Sequence, residues 1–232
     1  KNHKGFNFIH GEVIRLIKKK FKFNGNLNQL HKYIPYSELN NLRIFLFEEL
    51  NKQSKFRNSY YELSKPFLDE IVGDELVMQK KINLSIQFPK DDTSLLPIHS
   101  DTWNGNSPFE VVVWLPMENV RKSKSMFILP YDSKKNKLLY KKGTFKSNNK
   151  IYSKLKKDFK FLKVDKKQLL IFSQNCPHGN IVNKTNETRI SFNCRFKSLF
   201  APYHEKSFLE YFEPKGIKPA TRLGLDYEEP KF

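Results

Sequence analysis

Cysteine is scarce: the 232 residues hold two, Cys176 and Cys194. Two thiols cannot build the disulfide framework of a small secreted fold. Both fall in stretches predicted as strands, so reduced thiols in a cytoplasmic protein are expected. Long apolar runs are missing as well. None approaches the roughly 18 residues that a membrane span needs, so no span is expected. No signal-peptide pattern stands at the N-terminus, although Lys1 is not an initiator Met and residues can precede it. Arginine is rare. Of 42 basic residues seven are Arg, and the others are Lys. The formal charge of +18 invites a nucleic-acid partner, but Lys lacks the planar fork that reads phosphate and guanine at two points. A Lys- and Asn-rich chain with many Ile and Phe is also what an AT-rich genome encodes without functional demand. Both readings stay open.

What is present argues for a folded globule. Hydrophobic residues make up 38% and aromatics 14%, with 21 Phe, enough to bury a core in one domain spanning 1–232. Residues 1–80 read as mostly helical support. Val13, Ile14 and Ile17 form an apolar stripe; Leu27, Leu30 and Ile34 suggest a further turn or two, stopped by Pro35. Ser37 is placed to cap a helix carrying Leu39, Leu42, Phe45, Leu46 and Leu50, and Ser64-Lys65-Pro66 to start another with Phe67, Leu68, Ile71 and Val72. From Lys81 the period changes to two. Strands are predicted at Ile82 to Ile86, Leu95 to Ile98, Val111 to Leu115, Lys124 to Leu129, Gln168 to Phe172, His178 to Val182 and Thr188 to Phe196. The interval 81–200 is therefore the β core. Residues 201–232 read as a short helix, Ser207 to Phe212, and a tail.

The chemistry gathers at PIHSDTWNGNSPFEVVVWLP, from Pro97 to Pro116. His99 and Asp101 stand two apart, so an extended backbone sends both side chains to one face. A lone His-x-Asp is more often a hydrogen-bonded pair than a metal site. Here a third ligand follows in NCPHGN, His178, and Arg189 opens RISFNCRF eleven residues later. Two His and one carboxylate form the facial triad of non-haem Fe(II) oxygenases, which leaves coordination positions open. In the last strand Arg189, Ser191, Asn193 and Arg195 share one face, and Ile190, Phe192, Cys194 and Phe196 the other. The polar face is expected to line a barrel interior while the apolar face packs on the helices.

This ordered set resembles the Fe(II)/2-oxoglutarate-dependent oxygenases over roughly Lys81 to Phe200. WLPMENV and MFILP are similar to the phytanoyl-CoA-hydroxylase-like branch, and HSDTWNGNSPFE resembles the oxygenases of carbohydrate and aminoglycoside gene clusters, the streptomycin-biosynthesis type. One departure stands out: that branch often has a Pro-Gly-Ser-His turn where this chain has Pro130, Tyr131, Asp132 and Ser133. The resemblance implies a mainly β fold with flanking α: a double-stranded β-helix, a cupin-like jelly roll, with the N-terminal helices on its larger sheet. It implies Fe(II) on His99, Asp101 and His178, with 2-oxoglutarate and O2 as co-substrates. The C5 carboxylate of 2-oxoglutarate is assigned to Arg189 with help from Ser191, and Gln87 and Trp114 are expected to flank the co-substrate. Trp103, Asn104, Asn106, Glu110, Asn193 and Arg195 are candidates for substrate contact. The substrate so implied is a small polar metabolite, a sugar or sugar conjugate, probed by hydroxylation or another oxidation. Two alternatives remain: an oxygenase acting on nucleic acid or a phosphorylated metabolite, and a catalytically silent jelly-roll binding module. Residues 134–167 add 14 Lys against two acids, and are read as a solvated excursion or a funnel for an anionic substrate.

Overall fold

The computed structural model describes residues 3–130 and 148–231. Three helices come first: α1 (Lys4–Lys20), α2 (Leu39–Asn51) and α3 (Ser54–Ile71). Each buries one stripe. Phe6, Ile9, Val13, Leu16 and Ile17 do so on α1, Leu39, Leu42, Leu46 and Leu50 on α2, and Phe56, Tyr60, Tyr61, Ser64 and Leu68 on α3. The stripe on α3 runs unbroken past Pro66, so Ser64 and Pro66 lie inside a helix and do not begin one. The buried Ser64 hydroxyl donates to the Tyr61 carbonyl at 3.0 Å. Ser37 caps nothing either; it sits in the 3-10 turn Tyr36–Glu38 that leads into α2.

The β core is two antiparallel sheets. The larger contains β1 (Leu76–Gln79), β2 (Asn83–Gln87), β3 (Val111–Pro116), β6 (Leu170–Ser173), β8 (Arg189–Ser198) and β9 (Phe212–Lys215). Its order is β6-β3-β8-β1-β9, with β2 also paired to β8. The smaller contains β4 (Phe127–Ile128), β5 (Lys160–Phe161) and β7 (His178–Gly179), in the order β5-β4-β7. Strand β8 is the spine. It pairs with β3 along one side, and with β2 and then β1 along the other. Its alternation sends Ile190, Phe192, Cys194 and Phe196 into one cluster with the helices, as expected from the sequence. The Tyr60 hydroxyl fastens α3 to this layer through the Val113 carbonyl at 2.7 Å. The architecture is a jelly roll with the helices on its larger sheet.

Several expectations shift. Strand β1 falls inside the interval read as helical, because its four residues, all buried, are too few to show a period. Leu95 to Ile98 forms no strand, only an approach to a single bridge between His99 and His178. Residues 122–124 make a 3-10 turn before the short β4. Ser207 to Phe212 is not helical, since Leu209 takes the left-handed conformation (φ 66°), which ends any α-helix. Instead Phe212 begins the edge strand β9, and a helix forms later, at Pro219–Leu225. Both cysteines are free and buried; Cys194 is in β8, but Cys176 lies in the turn before His178. Among the described residues no helix is long and apolar enough to cross a membrane. Tyr131 to Ser133 and the first part of the Lys-rich interval lie outside the described residues.

Phe192 tests the helix-on-sheet packing, because its buried ring meets Phe56 of α3 edge-on with centroids 5.3 Å apart. Phe192→Ala is expected to lower the unfolding free energy by about 3–5 kcal/mol, read from denaturant titration. A loss below about 1 kcal/mol would show that the layers do not depend on this contact.

Candidate metal and co-substrate site

His99 and His178 meet as a hydrogen-bonded antiparallel pair: His99 N–H donates to the His178 carbonyl at 2.9 Å and His178 N–H to the His99 carbonyl at 2.8 Å. Such a pair projects both side chains to one side, and the ring centroids stand 4.3 Å apart. Gly179 permits the approach, since a Cβ there would fall 2.8 Å from the Leu96 carbonyl oxygen and from the Phe127 ring. Each imidazole is then fixed in the same way. The Nδ1 of His99 lies 2.8 Å from the Pro97 carbonyl, and that of His178 lies 2.9 Å from the Cys176 carbonyl. A carbonyl only accepts, so each Nδ1 carries the proton and each Nε2 keeps its lone pair. Asp101 follows at the start of the 3-10 turn Asp101–Asn104, not on a strand, with Oδ1 3.5 Å from the His99 Nε2. Ligand atoms of His99, Asp101 and His178 all lie within 4.8 Å of one another.

The electrostatics suit a cation. Burial brings the His178 imidazole down to about 4, aided by His99 beside it, so it is neutral at pH 7. Burial pushes the Asp101 carboxyl up, but the His99 hydrogen bond and the Arg195 guanidinium outweigh it and hold it at about 2. His99 is also opposed by burial, yet its contacts to Asp101 and the Pro97 carbonyl raise it overall.

The turn that carries Asp101 is braced from within. The Asn106 side-chain amide donates to the Asp101 carbonyl at 2.9 Å, and the Ser100 hydroxyl to the Gln174 carbonyl at 2.7 Å. Glu110 is buried and accepts from the Ser107 N–H at 2.9 Å and from the Gln174 side-chain amide. Burial raises its carboxyl above the usual range. Glu110 lines neither of the cavities beside the triad, whereas Asn106 lines one of them, its amide turned onto the backbone and its Oδ1 without a partner among the described residues. Both brace the loop.

Two cavities meet at the triad. The inner one, about 600 Å³, lies between the sheets, and Arg189, Ser191, Asn193 and Trp114 line it. Arg189 is buried. Its Nη2 donates to the Ser85 hydroxyl at 3.1 Å, its Nε has no partner, and no carboxylate among the described residues pairs with it. Burial, with Arg43 nearby, draws its guanidinium down to about 10. Asn193 accepts from the Asn83 amide at 2.9 Å. Gln87 sits opposite Arg189 across β2 and β8, but its amide donates to the Ile181 carbonyl at 2.9 Å and it does not line the cavity. The sequence reading missed Arg43, which lines this cavity from α2 and binds Asp91 Oδ2 at 2.6 Å. A lone basic residue in the apolar run Leu39 to Leu50 was the signal.

The outer cavity, about 560 Å³, shares His99, Asp101 and Arg195 with the inner one and adds Trp103 and Asn104. Lys206 and Tyr211 complete it from the C-terminal segment, where the sequence offered no pattern. Arg195 is not free to serve only as a substrate contact. Its Nη2 lies 3.1 Å from Asp101 Oδ2, and its Nη1 donates to Gln79 Oε1 at 3.1 Å and to the Tyr211 hydroxyl at 3.3 Å.

No family model and no curated protein matches this sequence. Solved structures match it in fold. The epimerase SnoN in complex with Fe3+, alpha ketoglutarate and nogalamycin RO has 13% identity, covers 90% of this chain and 83% of its own, and gives a TM-score of 0.55. The non-heme monooxygenase ThoJ, as its nickel complex, has 14% identity, covers 85% and 70%, and gives 0.52. At these identities the likeness establishes the jelly-roll fold.

Proposed function

We propose that this chain is an Fe(II)- and 2-oxoglutarate-dependent dioxygenase that hydroxylates a small polar metabolite, foremost a sugar or sugar conjugate. The observation that carries the reading is the gathering in one cavity of a His-Asp-His cluster and a buried guanidinium that pairs with no carboxylate among the described residues. Either feature alone has structural explanations. Together they offer ligands for a metal and a counter-charge for a dicarboxylate. The structural neighbours, a monooxygenase and an epimerase bound to Fe3+ and alpha ketoglutarate, lend support. So does HSDTWNGNSPFE, whose resemblance points to the sugar-modifying, streptomycin-biosynthesis type within the phytanoyl-CoA-hydroxylase-like branch.

The residues present fit the cofactor set. Two neutral imidazole nitrogens and one ionised carboxylate are the donor set of a non-haem iron site, and with each Nδ1 donating to a carbonyl the neutral rings offer their Nε2 lone pairs. Bound iron and 2-oxoglutarate would supply oxidation by O2 coupled to decarboxylation of the co-acid to succinate. The protein's own part is positioning. Arg189 offers its fork to the distal carboxylate, with the Ser191 hydroxyl as a further donor. Trp114 walls the cavity and excludes water. Arg195 holds one oxygen of Asp101, so the other is the one offered to a cation.

Four variants test the assignment. Asp101→Ala removes the only anionic ligand, so iron binding and succinate formation should vanish together; wild-type turnover would remove Asp101 from the site. Arg189→Lys keeps the charge but loses the fork, and should raise the apparent KM for 2-oxoglutarate while iron content stays near wild type. Arg189→Met should weaken co-acid binding by about 3–5 kcal/mol, because a buried carboxylate then has no partner. Loss of iron with 2-oxoglutarate affinity intact would make Arg189 a scaffold residue. Arg195→Met should weaken Co(II) or Ni(II) binding by about 10–100-fold by releasing Asp101, as removal of a ligand's hydrogen-bond partner does elsewhere. Unchanged metal affinity would limit Arg195 to packing.

A further inference from the structure

The outer cavity carries one positive charge that no carboxylate among the described residues answers. Its lining holds two cations, Arg195 and Lys206, and one carboxylate, Asp101. Arg195 and Asp101 already pair, and Arg195 is further occupied by Gln79 and the Tyr211 hydroxyl. Lys206 is left. It is half-buried, its ammonium lies 5.3 Å from the Tyr211 ring centroid, and no carboxylate among the described residues pairs with it. Glu205, next to it in the chain, packs instead against Gly105, where a Cβ would fall 2.0 Å from its Oε2. It is not part of the lining.

Trp103 lines the same cavity. Trp103 is 38% exposed, whereas Trp114, the other of the chain's two tryptophans, is 5% exposed. An indole left open beside a polar cavity presents a face to whatever enters. The amide of Asn104, also exposed, makes no hydrogen bond among the described residues and adds a donor and an acceptor next to that face.

We infer that the outer cavity binds a polyhydroxylated ring bearing an anionic group: the ring lies on Trp103 with hydroxyls toward Asn104, and a carboxylate or phosphate meets Lys206. A neutral sugar would leave Lys206 without a partner, and an amino sugar would set a like charge against it. The identity of this ligand as the substrate rests on the oxygenase reading; the binding preference itself rests on the chain's own side chains.

The test uses full-length protein carrying Trp114→Phe, so that Trp103 is the sole tryptophan reporter. It is titrated with D-glucuronate, D-glucose 6-phosphate, D-glucose and D-glucosamine, with and without Ni(II) and 2-oxoglutarate. The inference expects a saturable change in Trp103 emission with at least one of the two acids, which also separates carboxylate from phosphate. Glucose should bind about tenfold more weakly, the loss of roughly one charge-assisted contact, and glucosamine more weakly still. Lys206→Met should abolish the preference for acid over glucose, and Lys206→Arg should keep it. Equal binding of acid and neutral sugars overturns the inference. So does a stronger response to glucosamine, a preference that survives Lys206→Met, or no response to any of the four. Failure of the oxygenase reading looks different: Ni(II) and 2-oxoglutarate would not bind the chain with Trp114 intact, yet the Lys206-dependent preference for acid would persist in their absence.

Discussion

The site depends on one backbone pairing. His99 and His178 exchange two hydrogen bonds, and the Asn180 N–H adds one to the Leu96 carbonyl at 3.0 Å beside that bridge. A reciprocal pair fixes register absolutely, and a slip of one residue would send one imidazole to the opposite face. Gly179 is what allows the chain at 96–98 to lie this close. With the pairing made, the carbonyls of Pro97 and Cys176, each two residues before its histidine, orient the two rings in the same sense. The symmetry is local and comes from the backbone, which is why the two Nε2 atoms converge without help from a third side chain.

Asp101 needs more support because it lies on a turn. A 3-10 turn has few internal bonds and takes its shape from its surroundings. Here Asn106, Ser100 and the Glu110–Gln174 pair supply that shape from below, and Arg195 holds the carboxylate from above. Glu110 and Gln174 are buried and hydrogen-bonded to each other, while Gln174 Oε1 and Asn106 Oδ1 have no partner among the described residues.

This explains what could be read in advance. The alternation of β8 was legible because a period of two survives any tertiary context, and it correctly divided Arg189, Ser191, Asn193 and Arg195 from the residues that face the helices. The gathering of His99, Asp101 and His178 was legible because His and Asp in that order and setting have few other uses. The hydrogen-bond partners of Asn106, Glu110 and Arg195 were not, since a polar residue near a site looks the same in the sequence whichever group it bonds. Lys206 and Tyr211 were invisible for another reason. They reach the cavity through the edge strand β9 and the left-handed turn at Leu209, neither of which leaves a periodic trace. Pro66 misled through propensity, which the buried stripe of α3 overrode.

The buried cations sharpen the case for Arg189. Lys124 is buried and answered by Glu187 at 2.6 Å. Lys197 is fully buried, drawn down to about 8 by that burial, and capped by the carbonyls of Ala201 and Pro202 at 2.6 and 2.9 Å. Arg195 has Asp101. Each of these charges has a partner that offsets part of its desolvation. Among the described residues Arg189 bonds only a hydroxyl and a distant carbonyl, its Nε is bare, and the charges near it, Arg43 and Asp91, are paired with each other. A fold under selection for stability alone removes such a group or moves an acid beside it, because an unpaired buried charge is among the costliest features a core can hold. Its persistence at the inner end of a cavity, with the His-Asp-His cluster in the same cavity, is the arrangement that a bound dicarboxylate would complete. The outer cavity repeats the pattern in weaker form with Lys206, half-exposed and so less costly. The two unanswered charges stand in different cavities, and the triad lies where those cavities join.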